Sequence, residues 1–318
     1  MTQKNNTYIK FTPNLKVPLQ LNACQKTIIH LFEEKHVNAI NTALACRRPL
    51  LLTGEPGIGK TQLARAAAVA LQRAFIRHTV DAKTEARDLL WHFDAVARLA
   101  KAQLAQNLKW DKEACDLQLA PKNFIRPGPL WWGMNWGMAK KQQQAQEPSQ
   151  PDGQHPDNGV VVLIDEIDKA EIDVPNGLLE ALGESSFHPF GLPEPIRVGE
   201  GAVPPFIVIT TNRERTLPAA FVRRCVVLRM ELPEEEDALL TLLVQRGSAH
   251  SSLPEDILQK AAEMLLEDRK AVNKPPRPGQ AEYLDLLRAV EEQAGGEFSP
   301  DQLLDMARPY LLQKSRLV

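Results

Sequence analysis

Cysteine is scarce in this chain: four in 318 residues, at Cys24, Cys46, Cys115 and Cys225, far apart and with no CxxC pair. That spacing argues against a disulfide framework or a thiolate zinc site, and it suits a reducing cytosol. The seven histidines show no metal-ligand spacing. No apolar run approaches the roughly 20 residues of a membrane-spanning helix. The opening stretch MTQKNNTYIKFTPNLK lacks the apolar centre of a secretory signal. An excess of one charge is also missing, since 38 Lys plus Arg stand against 40 Asp plus Glu, a net charge of −2. Such a balance exerts no global pull on nucleic acid or an anionic membrane, although a local basic patch stays open. Aromatics amount to only 6%, while hydrophobic residues reach 43% and charged ones 25%, the proportions of a soluble globular chain. The length suffices for two domains and at least one full core.

What is present alternates in character up to about residue 230. Residues 1–20 read as an irregular arm. The segment NACQKTIIHLFEEKHVNAINTALAC carries apolar residues at helical spacing, and RPLLLTG reads as a short buried strand. KTQLARAAAVALQ is a strong helix former, AFIRHTV predicts a second strand, and residues 85–120 read as mainly helical and charged. VVVLI at 160–164 and FIVIT at 206–210 are continuous β-branched runs, the pattern of central strands in a parallel sheet covered on both faces. This alternation predicts an α/β domain. The stretch KKQQQAQEPSQPDGQHPDN at 140–158 is rich in Gln, Pro and Asp, and it predicts an exposed, flexible loop. Beyond ELPEEED only helical periodicity remains, with Ser299 and Pro300 as N-cap and first residue of a helix. The expected division is an arm at 1–20, a nucleotide-binding core at 21–231 and an all-helical domain at 232–318.

The segment GEPGIGKT matches the phosphate loop GxxxxGK[ST] between a predicted strand and a predicted helix. Gly54, Glu55, Pro56, Gly57, Ile58 and Gly59 form the loop, and Lys60, Thr61 and Gln62 open the helix. The glycines let backbone N–H groups turn inward around phosphates, Lys60 supplies a point charge, and the Thr61 hydroxyl can ligate Mg²⁺. In VVVLIDEIDKA an apolar strand delivers Asp165 to its C-terminal end, where open α/β sheets bind ligands. Asp165 is the expected Mg²⁺ carboxylate and Glu166 the expected base for an attacking water. Asp168 and Lys169 read as members of surface pairs. A third strand, PFIVITTNRE, ends in Thr210, Thr211 and Asn212, and the Asn212 amide could orient that water. Arg223 and Arg224 close a short predicted helix in LPAAFVRRC, where cations suit the helix dipole.

These pieces in this order resemble the AAA+ ATPases, specifically the MoxR-like branch, over about residues 20–290. FIRPGPLWWG and GLLEALGESSF are similar to MoxR segments on either side of the Walker B strand, and ARDLLWHFDAVARL resembles a bacterial subgroup. The resemblance implies an αβα phosphate-loop core with a parallel sheet, an insertion at about 85–123 and an all-helical lid. It implies that Asn212 is sensor 1, and that Arg224, with Arg223 as second candidate, reaches the nucleotide of a neighbouring subunit as an arginine finger. For sensor 2 it implies Arg277, with Lys274 as the alternative, in a stretch whose prolines depart from the family pattern. Trp132 and Trp136, four apart, would share a helix face, and core packing is the better account of them than a pore.

The reading is therefore a cytosolic ATPase that uses ATP and Mg²⁺, assembles into a ring, expected to be a hexamer, and remodels a partner protein. The resemblance implies a von Willebrand factor A-type partner and leaves room for a role in bacterial defence. The rivals are a nucleic-acid motor, which the near-neutral charge weighs against, and an ATP-switched scaffold with slow turnover.

Overall fold

A computed structural model describes residues 8–10, 12, 15–19, 28–272 and 277–314. Lys274 lies outside the described residues. Five strands form the central sheet: β1 (Leu50–Thr53), β2 (Arg73–Thr79), β3 (His155–Asp165), β4 (Phe206–Thr211) and β5 (Val226–Arg229). They run parallel in the order β5-β1-β4-β3-β2. The fully apolar runs take the inner places because both faces are covered. On β3 every residue from Gly159 to Asp165 is buried, and so is all of β4. Val161 pairs with Phe206 on one side and Phe75 on the other.

Packing divides the chain into two units. The first comprises Met1–Lys10, Glu34–Leu52 and Ala64–Leu228, and the second Phe11–Glu33, Thr53–Leu63 and Arg229–Val318. The sheet core lies in the first, where Trp131, Val162, Ile164, Leu178 and Ile209 are each fully buried. Two helices begin the chain order, α1 (Glu34–Cys46) and α2 (Lys60–Ala70). Next come α3 (Ala95–Asn107) and α4 (Lys112–Gln118), capped by Asp94 and Asp111, whose carboxylates accept Ala97 N–H and Ala114 N–H. They are enclosed by a strand pair that the charged composition of this stretch masks: Trp91–Phe93 runs antiparallel to Ile125–Pro127.

Helix α5 (Pro129–Met134) stops at Asn135, and α6 (Trp136–Lys140) restarts from it. Trp132 and Trp136 therefore sit on two helices, yet their rings meet edge to face at 5.0 Å. Trp131 and Trp132 are core residues at 0% and 4% exposure. Helices α7 (Asp173–Glu184) and α8 (Ala219–Val222) complete this unit.

The Gln-rich stretch has fixed partners. β2 is an edge strand, and an edge exposes unpaired N–H and C=O groups. Gln150 covers it, accepting Phe75 N–H at 2.7 Å and donating to Phe75 O at 3.2 Å. Gln154 donates to Arg73 O and Asn158 to Gln72 O, each at 2.9 Å. Side-chain amides, each both donor and acceptor, can pair with a strand edge without adding a strand.

Among the described residues of 22–46, the helical periodicity holds only in part. The helix begins only at Glu34, while Ile28–Leu31 pairs antiparallel with Lys16–Leu19 inside the stretch read as an irregular arm. Val17 and Leu19, on one face of the first strand, are buried, and the β-branched Ile28 and Ile29 suit the pairing. Helices α9 (Glu236–His250), α10 (Glu255–Ala271), α11 (Gln280–Gln293) and α12 (Pro300–Leu311) follow. Ser299 caps α12 by accepting Gln302 N–H at 3.3 Å. Among the described residues, no helix is long and apolar enough to cross a membrane.

Candidate nucleotide site

The phosphate loop packs within the second unit. Gly57 has φ +76°, a left-handed backbone that favours glycine. A Cβ there would stand 2.9 Å from the Ala281 Cβ at the start of α11. Gly59 is also left-handed, at φ +97°. Lys60 is buried, and its ammonium donates to Gly54 O and Glu55 O at 2.8 Å each, so its charge is held inside the turn of the loop. Glu55 is tied to the helical region, since Arg269 of α10 donates to its Oε2 at 3.0 Å. Arg269 also donates to Pro278 O at 2.9 Å. A second arginine, Arg246, is buried between Glu33, at 2.7 Å, and Gln280, the first residue of α11. Burial pulls the Arg246 pKa down and the Glu33 carboxylate opposes that.

The first unit carries the carboxylates. Asp165 ends β3 and is buried. Arg77, on β2, reaches it with Nη2 at 2.8 Å and Nε at 3.0 Å. Thr210 donates its hydroxyl to Asp165 Oδ1 at 2.6 Å and accepts Glu166 N–H at 2.8 Å. Glu166 follows with φ 61° and ψ 49°, a left-handed conformation in which a non-glycine residue is strained. Among the described residues its carboxylate has two partners. Asn212 Nδ2 donates to Oε1 at 3.3 Å, and Lys169 Nζ to Oε2 at 2.6 Å. The bond to Glu166 raises the Lys169 pKa. Arg65 adds a further cation, stacked 4.8 Å over the Phe75 ring. Burial first, then the Arg77 charge, pull its pKa down, and Asp165 opposes both.

The expectation that Asp168 forms a surface pair is overturned, while Lys169 does form one, with Glu166. Asp168 is 2% exposed, and its Oδ2 accepts the backbone N–H of Asn212 at 3.1 Å and of Glu214 at 2.9 Å. The Lys169 side chain is 41% exposed in its pair with Glu166. For Asp168 the cause is the 3₁₀ turn Ile167–Lys169, which sets its carboxylate against the loop after β4.

Over residues 49–225 the sequence matches the AAA domain, dynein-related subfamily. The chain belongs to that subfamily. None of the curated proteins compared is similar to it. Among solved structures, a mutant of RuvB from Thermotoga maritima is similar at 17% identity with a TM-score of 0.47, over 86% of this chain and 68% of that one.

Within this AAA domain Arg223 and Arg224 are both exposed at the end of α8. Arg223 is the C-cap residue, and Arg224 Nη1 donates to Leu179 O at 3.2 Å. Arg277 is exposed and its Nε donates to Val272 O at 3.0 Å. Sequence reasoning missed Arg77 and Arg269. A lone arginine in the apolar strand AFIRHTV was the available signal for the first. Nothing local marks the second, because its partner Glu55 is 214 residues away.

Proposed function

We propose that this AAA domain hydrolyses ATP with Mg²⁺. The observation that carries the reading is the Glu166 carboxylate, held by Asn212 Nδ2 at 3.3 Å immediately after the strand-terminal Asp165. A carboxylate so placed can take the proton of a water that the amide orients. The donor set fits a nucleotide-bound Mg²⁺. Thr61 would supply a hydroxyl and Asp165 a carboxylate, both hard oxygens, and such an ion keeps waters and phosphate oxygens for the rest of its shell. Among the described residues, no group of three or more His, Cys, Asp or Glu side chains is arranged to hold a metal. Mg²⁺ when bound would neutralise charge on the phosphates. The chain's own groups supply the rest: the residues Gly54 to Gln62 enclose phosphate oxygens, Lys60 adds a positive charge, and Glu166 accepts the proton.

We further infer a MoxR-like member of the helix-2-insertion type that works as a ring, with Arg224 or Arg223 completing a neighbour's site and a basic lid residue, Arg277 among the candidates, facing the nucleotide. The exposure of both arginines supports this. Its work would be to remodel a partner protein, of von Willebrand factor A type or another class, in a bacterial defence setting. Exposed Val96, Leu99, Leu104 and Leu108 on α3 and at its C-terminal end support the insertion as the surface that meets it.

Glu166→Gln tests the hydrolase reading. The amide keeps shape and loses the base, so the variant should bind Mg-ATP with an affinity close to wild type and turn over at least about 100-fold more slowly. Turnover at the wild-type rate removes Glu166 as the base.

A further inference from the structure

A third carboxylate, Asp168, has no part in the hydrolysis derived above, yet it is the most completely buried acid at this end of the sheet at 2% exposure. Its Oδ1 is buried and has no hydrogen-bond partner among the described residues. A buried carboxylate with one oxygen unsatisfied opposes folding, so its placement calls for a reason. Oδ2 supplies one. The two amides it accepts, Asn212 N–H and Glu214 N–H, flank Arg213 on either side. Arg213 has φ 65°, a left-handed conformation that a non-glycine residue keeps only when its surroundings over-determine it. Asp168 thus clamps both ends of a strained residue.

The clamp sets the direction in which the Asn212 side chain leaves the backbone. Asn212 Nδ2 stands 3.3 Å from Glu166 Oε1, at the long end of hydrogen-bond range, so a small drift of the loop would break that bond. Asp168 is only two residues from Glu166 and lies in the 3₁₀ turn that Glu166 opens. The same turn therefore fixes the position of Glu166 and, through Asp168, the position of Asn212.

We propose that Asp168 is a positioning residue for hydrolysis: it ties the loop after β4 to the turn after β3, so that Asn212 and Glu166 are held in register with each other. The inference rests on the ATPase reading.

The test is a double-mutant cycle with ATP affinity and turnover measured separately. Asp168→Ala should lower kcat at least about tenfold while ATP affinity stays within about twofold, since the phosphate loop is not touched. Asp168→Asn can set its carbonyl oxygen where Oδ2 stands, and it should retain at least about a third of the wild-type kcat. In an Asn212→Ala background, Asp168→Ala should cost less than about a further twofold, because its effect passes through Asn212. Should the alanine protein not fold, Asp168→Ser, whose hydroxyl is too short to reach both amides, carries the same comparison. Equal losses in both backgrounds, or an Asp168→Ala protein with wild-type kcat, overturn the inference while leaving the ATPase reading intact. A wild-type protein without ATPase activity overturns that reading and the inference with it.

Discussion

Arg77 and Asp165 sit on neighbouring strands and form a two-point ion pair, with Nη2 at 2.8 Å and Nε at 3.0 Å from the same carboxylate oxygen. The Asp165 side chain is 4% exposed and that of Arg77 42%, so the acid depends on the arginine more than the reverse. Arg77→Ala removes both contacts and leaves the Thr210 hydroxyl on Oδ1. A hydrogen-bonded ion contact is worth about 1.5–3 kcal/mol. At about 2–4 °C per kcal/mol for a domain of this size, the variant should melt several degrees below wild type. Mg-ATP should recover more stability in the variant than in wild type, because the metal replaces the missing cation. Thermal unfolding with and without Mg-ATP checks both; equal melting temperatures without ligand would mean that the pair contributes nothing to stability.

Arg224 is exposed and donates to Leu179 O at 3.2 Å. If it serves a neighbouring subunit, Arg224→Ala should bind ATP nearly as well as wild type and hydrolyse it about 10³-fold more slowly or worse. A Lys60→Ala protein has the opposite defect, with a disabled loop and intact arginines. Mixed at equal amounts, the two should regain activity, with mixed assembly confirmed first by mass. Mixed assemblies that remain inactive would assign the arginine to its own subunit, where it suits a helix C-terminus.

Cys225 is buried, and burial pushes its thiol up to about 11 from an ordinary 9.0. Arg48 opposes this as the smaller effect. The folded thiol thus stays protonated where the unfolded one ionises. Its contribution to stability is complete below pH 9.0 and is lost as pH rises toward about 11. The decline in melting temperature over that window should be shallower for Cys225→Ser. At pH 8, Cys46, which is exposed, should react with a thiol reagent while Cys225 stays silent until the chain unfolds. Equal labelling rates in the native protein would contradict the buried assignment.

Local chemistry makes much of this protein legible in its sequence. The phosphate loop, Asp165, Glu166 and Asn212 are each marked by a short pattern, because a tight glycine turn and a carboxylate after an apolar run leave few alternatives. The runs VVVLI and FIVIT read as central strands for the same reason. Residues 28–31 show the limit, since four residues can satisfy helix and strand periods alike and pairing with Lys16–Leu19 decided between them. The Gln-rich stretch shows another limit: composition speaks for solvation, whereas the unpaired edge of β2 gave Gln150 and Gln154 something to bind.

What the sequence alone determined is the chemistry on offer: a loop for phosphates, two carboxylates, an amide and a pair of arginines. What only the tertiary structure decided is which partners hold those groups. Asp165 is gripped by an arginine 88 residues earlier, and Glu55 by one 214 residues later. Asp168, which reads as a solvated charge in DEIDKA, is buried by the return of a strand more than forty residues on. Such pairings depend on strand order and on where helices pack, and those follow from burying apolar surface across the whole chain, a property no short window of sequence contains.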